Sequence, residues 1–425
     1  MDIQIPKSTA YRALFIATIA FAANFSVWVL YAVLGIELKD SLNLSSTQLG
    51  LLLSAPMFTG AVLRLPVGFL CDKMSSKKIF IIQMLLLIPP LLLLKNAETL
   101  TGYIVIGLLI GISGVSFTIG IRYVVDWFES KYQGTAMGVF GAGNAGAAIT
   151  LILAPILIER FGLEYVGPAY AIGMVSVILL FAFMAPSLPK YIELKSKPSW
   201  QQQIAPLKHL RVWRFGLYYY FVFGSFLALT MWLPHYYVNA YKLSMNQAMA
   251  LTLLYVASSS LVRAAGGWLA DKYGARSVNW MVFWVCLVCL FFLSYPSTSM
   301  VIQGVEKNVT INIEVNVWLF TALIFVIGIA QGFGRASVYK IIYDKYPERM
   351  GSVGGAVAMV GALGGCTLPL MFGFVVDLVG VYSACFMLLY GVLAACMLLM
   401  YFANQQEHHQ RRVQHAIETN FLERE

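Results

Sequence analysis

Stretches of predominantly apolar residues recur along the chain from Tyr11 to Asn404, each about 20 residues long, the length a helix needs to cross roughly 30 Å of hydrocarbon. Nothing else in the sequence restricts the fold so severely. Inside hydrocarbon only helices and closed barrels satisfy their own backbone hydrogen bonds. Barrel strands would alternate apolar and polar residues over segments of about 10, and these runs do not alternate. Charged residues are only 12% of the chain, against roughly 25% in soluble domains. The sequence therefore predicts an all-α polytopic membrane protein. Twelve transmembrane helices are expected near 11–37, 47–70, 78–95, 99–126, 133–159, 165–187, 213–240, 246–270, 277–296, 317–344, 349–376 and 381–404. The first follows only Lys7 and Arg12 and lacks a small-residue cleavage site, so it reads as a retained span.

The net charge of +9 would suit a nucleic-acid partner, but its distribution argues against one. Of 29 Lys and Arg, 19 lie in or bordering the termini and even-numbered loops, 5 lie in or bordering odd-numbered loops, and 5 are within spans. This bias puts both termini in the cytoplasm and makes the lipid bilayer the principal partner. The six cysteines lie in or beside apolar spans, and Cys286-x-x-Cys289 has no further ligand beside it. They read as packing thiols. No metal or cofactor is expected, and the tail histidines (His408, His409, His415) read as solvated.

An internal repeat divides the chain in two. Arg64–Lys78 reads RLPVGFLCDKMSSKK and Arg263–Ser277 reads RAAGGWLADKYGARS. Arg64, Gly68, Asp72 and Lys73 match Arg263, Gly267, Asp271 and Lys272 at an offset of 199. Further on the offset becomes 218, pairing Arg122 with Lys340, Asp126 with Asp344, Gly143 with Gly361 and Gly146 with Gly364; the outer loop 297–316 supplies the extra residues. The repeat implies two pseudo-symmetric six-helix bundles, 1–189 and 213–404. A basic cytoplasmic linker at 190–212 (Lys190, Lys195, Lys197, Lys208, Arg211) joins them, and a polar cytoplasmic tail follows at 405–425. Such repeats are the pattern of secondary transporters that rock around a midplane site.

Arg64 precedes Asp72 by eight residues, which places it about 12 Å inside the boundary at 1.5 Å per residue. The offset puts Arg263 at similar depth. A charge there costs roughly 2.5–3.5 kcal/mol on insertion scales, and arginine does not escape by deprotonating. A buried ion pair is the ordinary explanation, yet no Asp or Glu lies mid-span. Binding of a small oxyanion by two planar guanidinium forks fits better. In span five, Gly134, Gly138, Gly141, Ala145 and Ala148 form one bare helical face; span eleven repeats it with Gly351, Gly355, Ala358, Gly361 and Gly365. Such faces admit close helix approach, so these glycines, with Gly143, Gly146 and Gly364, read as packing or gating positions. Asn144 is a carboxamide among them that needs a partner.

These features resemble the major facilitator superfamily, and within it the nitrate/nitrite porters. The turns containing Gly68, Asp72 and Lys73 and Gly267, Asp271 and Lys272 resemble the superfamily's loop signature; FGAGNAGAA in span five and GALGG in span eleven resemble the porters' paired signatures. The resemblance covers essentially all twelve spans. It implies two six-helix bundles and movement of nitrate or nitrite across the inner membrane by alternating access. It also implies substrate contacts at Arg64, Arg263, Asn144, Phe117, Tyr219 and Phe223. A monomer with no cofactor is expected. Arg335 departs from the pattern: at offset 218 it is the counterpart of Phe117, where the family usually has an uncharged residue. As a third midplane substrate contact it would admit another anion, organic or multivalent; as a structural group it would pack against span carbonyls.

Other classes fit less well. An enzyme would need a nucleophile, metal cluster or paired carboxylates at one depth, and none is visible. A receptor would be favoured by an appended domain, for which 425 residues leave no room. Sugar or drug carriers driven by protons would want a midplane carboxylate. The small-anion carrier, with a co-transported or exchanged ion left open, is the expectation.

Overall fold

The computed structural model describes residues 6–422 apart from 72–73, 126, 129, 188–200, 202–203, 304–307 and 347–349. Asp72, Lys73, Asp126 and the linker's Lys190, Lys195 and Lys197 lie outside the described residues, as do the surroundings of Gly134, Gly351, His408 and His415. Eleven helices among the described residues are long and apolar enough to cross a membrane: Lys7–Ser41, Ser46–Cys71, Ser76–Asn96, Leu100–Val125, Ala136–Phe161, Leu163–Met184, Leu210–Tyr241, Ala275–Leu293, Val317–Lys345, Ser352–Val379 and Ala384–Gln406. The pair Met245–Leu261 and Arg263–Tyr273, bent by 42°, makes the twelfth crossing. In chain order these are spans one to twelve, and they fall on the twelve expected segments.

The apolar pattern did not reveal that most spans entering the site are interrupted part-way along their length. Span two breaks at Leu63 and resumes at Arg64; span eight breaks at Val262 and resumes at Arg263. The two break residues sit at the repeat offset and share a backbone conformation, φ −72° with ψ −11° and φ −72° with ψ −7°. Span four tightens to a 3₁₀ turn at Gly111–Val115, just before Phe117, and span five does so at Ala142–Ala145, around Asn144. Span seven widens to a π turn over Tyr220–Gly224, between Tyr219 and Ser225. Such interruptions shift carbonyls off the helical ladder, and they are tolerated at membrane depth only where protein or a cavity covers them. Spans ten and eleven are continuous.

One local expectation needs correction, and two features were not foreseen. Asp271 and Lys272 belong to the last turn of the helix ending at Tyr273, and the chain reverses at Gly274, whose φ of +84° suits glycine alone. The loop after span nine carries a two-stranded hairpin, Thr298–Ile302 against Val309–Ile313, built from β-branched residues that favour strands. The tail continues span twelve as one helix, Ala384–Leu422, because no Gly or Pro interrupts a run of polar helix formers there.

Candidate functional site

Arg64 is fully buried at the break in span two. Its Nε donates to the carbonyl of Gly114, in the 3₁₀ turn of span four, and its Nη1 to the carbonyl of Ala358 in span eleven, both at 3.3 Å. Nη2 is buried with no hydrogen-bond partner. The guanidinium carbon lies 5.1 Å from the Trp28 ring centre, 5.5 Å from that of Phe117 and 5.4 Å from that of Phe223. Trp28 fits there because Gly60 and Gly114 have no side chains: a Cβ on either would come within 2.6 or 2.5 Å of the indole.

Arg263, at the matching break in span eight, lies 5.5 Å from the same Phe117 ring. One aromatic ring thus serves both guanidinium groups. Asn144 reaches across from span five. Only with its oxygen facing the arginines is the carboxamide paired, accepting from Arg263 Nη1 at 3.2 Å and Arg335 Nη1 at 3.0 Å; the opposite orientation would set donors against donors. Tyr219 stacks on Phe223 with centroids 5.1 Å apart, and Tyr339 meets Tyr219 edge-on at 5.0 Å and Phe117 at 6.3 Å. The Tyr219 hydroxyl is buried without a hydrogen-bond partner, and that of Tyr339 donates to the Gly354 carbonyl at 3.3 Å. Tyr219 lies near both Arg64 and Arg335, as does Arg263.

The glycines serve this cluster in three ways, which corrects the single bare face expected of spans five and eleven. A Cβ on Gly141 would lie 2.8 Å from the Arg263 guanidinium, and one on Gly361 would collide with the Tyr219 ring. Gly143 and Gly146 abut span one, and Gly364 abuts span seven at Gly224. Gly138 and Gly355 face nothing within 4 Å.

A cavity of about 530 Å³ runs from Arg263 and Tyr339 past Gly138 and Gly267 to Asp271 and Lys340. At its mouth Lys340 bridges Asp271 at 3.0 Å and Asp344 at 3.3 Å. The opposite end is closed by spans two and eleven. There the Asp377 carboxylate caps span two, accepting from Ser46 N at 3.2 Å, Thr47 N at 2.7 Å and Thr47 Oγ1 at 2.6 Å. Gly50 and Gly373 bring the two backbones into contact, and Ser54 Oγ donates to the Cys366 carbonyl.

A twelve-span chain with a half-to-half arginine cluster can be compared with known proteins. Residues 16–305 match the Major Facilitator Superfamily model. A probable nitrate/nitrite antiporter, NarK1, of Thermus thermophilus is 34% identical over 394 residues, covering 89% of this chain and 88% of that protein. The chain belongs to the nitrate/nitrite porter family of the major facilitator superfamily. More distant porters include the nitrite extrusion protein of Bacillus subtilis, 28% identical over 373 residues, with 88% of this chain and 89% of that protein covered. The probable nitrate transporter NarT of Staphylococcus carnosus is 27% identical over 389 residues, with 91% and 95% covered. The crystal structure of the human organic anion transporter MFSD10 superposes with a TM-score of 0.67 at 15% identity, covering 92% of this chain and 99% of that one; at that identity the likeness is one of fold.

In this porter the seven side chains singled out in the sequence (Arg64, Phe117, Asn144, Tyr219, Phe223, Arg263 and Arg335) form one connected cluster. Their contacts also draw in Trp28, Ser259 and Tyr339, which sequence reasoning missed. Tyr339 had a legible signal, lying four residues after Arg335 and so on the same helical face. Trp28 and Ser259 had none, since an apolar or hydroxyl residue within a span is ordinary. Gly68 and Gly267, expected in turns, lie inside the helices Arg64–Cys71 and Arg263–Tyr273; a Cβ on Gly68 would meet Thr118 only at ordinary contact distance, and Gly267 lines the cavity.

Proposed function

We propose that this integral membrane transporter carries nitrate, nitrite or both across the cell inner membrane by alternating access, with its termini in the cytoplasm. The observation that carries the reading is the buried Arg64 Nη2 without a partner, in a cluster that holds two further guanidinium groups. A buried donor of that kind costs about 1–3 kcal/mol if left unmade, and a flat oxyanion supplies acceptors edge-on to both forks. Phe117, Phe223 and Tyr219 bound the thickness of what fits. The anion enters from the Asp271–Lys340 end, which the charge bias assigns to the cytoplasm. Rocking of the two bundles then closes that mouth and parts spans two and eleven at Asp377.

A larger or multivalent anion has less support, because Arg335 directs its donors to Ser259, Gln331 and Asn144. The test is uptake into proteoliposomes from a panel of anions, with and without internal counter-anion and a pH gradient. Nitrate or nitrite uptake should fall about 10–100-fold in Arg64→Lys, since an ammonium lacks the planar fork. Movement of organic or multivalent anions with no nitrate or nitrite movement would refute the reading.

A further inference from the structure

Arg335 is as buried as Arg64, yet it is held quite differently. Its Nη2 donates to the Ser259 carbonyl and, at 2.6 Å, to the Ser259 hydroxyl; its Nε donates to the Gln331 carbonyl at 3.4 Å. Its plane lies over Phe226 with the guanidinium carbon 4.0 Å from the ring centre. Ser259 is the residue whose in-helix partner would be the N–H of residue 263, beyond the break in span eight. The distortion that places Arg263 in the site therefore also presents the carbonyl that anchors Arg335. The one nitrogen pointed elsewhere, Nη1, donates to Asn144 at 3.0 Å, across the boundary between the two halves of the chain.

We infer that Arg335 is a positioning residue: it orients the Asn144 carboxamide toward the second bundle, and it acts on the substrate only through Asn144. A carboxamide turns about its last bond at little cost, so an isolated Asn144 would present oxygen or nitrogen to the site indifferently. Two cationic donors on Oδ1, from Arg335 and Arg263, remove that freedom. They turn Nδ2 to the other side of the group, which faces acceptors, as a fixed hydrogen-bond donor. They also tie the Arg263 fork to a third point, beside the Phe117 ring. The inference rests on the anion-site reading above and adds to it which arginine grips and which one aims.

A double-mutant cycle separates this role from direct contact. Nitrate dissociation constants are measured by calorimetry on wild type, Arg335→Gln, Asn144→Ala and the double variant. Arg335→Gln should weaken nitrate on the order of tenfold in wild type, the scale of one charge-assisted bond, and less than about twofold once Asn144 is Ala. An equal loss in both backgrounds would make Arg335 a substrate ligand and overturn the inference, as would no loss in wild type. Ser259→Ala, which loosens the anchor with less disturbance of folding, should show the same dependence on Asn144. The same cycle in Tm, with no anion added, tests the bond itself: strictly additive shifts would overturn the inference whichever anion the protein carries. Wild type that binds neither nitrate nor nitrite, with non-additive Tm shifts, would leave the Arg335–Asn144 pairing standing and remove the substrate reading instead.

Discussion

Gly141 and Gly138 lie three residues apart on one helix, and adding a methyl group to each tests how finely the site is built. A Cβ at Gly141 would sit 2.8 Å from the Arg263 guanidinium carbon and Nη1, whereas one at Gly138 meets nothing within 4 Å. To regain ordinary contact at 3.4 Å, the guanidinium must retreat by more than half an ångström. That moves the far end of a flexible side chain, so folding loses little. Helix propensity even favours Ala over Gly by about 0.8–1.0 kcal/mol. The site cannot give in the same way, because Arg263 is pinned between the Phe117 ring and Asn144. Spoiling the aim of one charge-assisted bond forfeits part of its roughly 1.5–3 kcal/mol; a loss of about 1–2 kcal/mol is a five- to thirtyfold weaker Kd for nitrate. Gly138→Ala should leave Kd within about twofold, and neither variant should lower Tm by more than about 4 °C. Calorimetric binding and thermal unfolding in detergent measure both quantities. Equal Kd values for the two variants would show that Arg263 is not aimed by the bare backbone at Gly141.

Phe117→Leu should weaken nitrate about tenfold by calorimetry, since the ring faces two guanidinium groups and each cation–π contact is worth about 0.5–2 kcal/mol; a Kd within twofold of wild type would show that the ring only fills space. Asp377→Ala removes the acceptor that caps span two, a loss of about 0.5–2 kcal/mol. It should lengthen the distance between spin labels at Gln48 and Leu378 in part of the population, and an unchanged distribution would mean that the cap does not hold this end closed.

Part of this site was legible before any coordinates. Arg64 and Arg263 announced themselves because a charge at mid-depth of an apolar run is costly, and repetition at one offset excludes accident. Asn144 stood out for the same reason in weaker form. Arg335 was visible as a residue but not as a role: the sequence left it either a substrate contact or a carbonyl-bound structural group. The structure pairs it with both carbonyls and Asn144. Trp28 was illegible as a site residue because aromatic side chains are common in spans, and only its neighbours distinguish it; Tyr339 carried only the signal of its spacing from Arg335. The glycines were read together as packing or gating positions, and only the structure shows that Gly141 makes room for Arg263, Gly146 abuts span one and Gly138 lines the cavity.

The sequence by itself determined that the chain is a bundle of apolar membrane-crossing helices, and which charged groups lie within those spans. These follow from one local constraint, that hydrocarbon tolerates neither unpaired backbone nor casual charge, and that constraint acts on each segment separately. Only the tertiary structure decided where each guanidinium points. Arg64 reaches Ala358 across 294 residues, and Arg335 reaches Ser259 across 76. The second pairing depends on a carbonyl freed at the helix break in span eight, the first on the close approach of span eleven, and both on rings that fit where glycines leave space. No periodicity along the chain records such choices, because the energy that settles them arises between segments rather than within them.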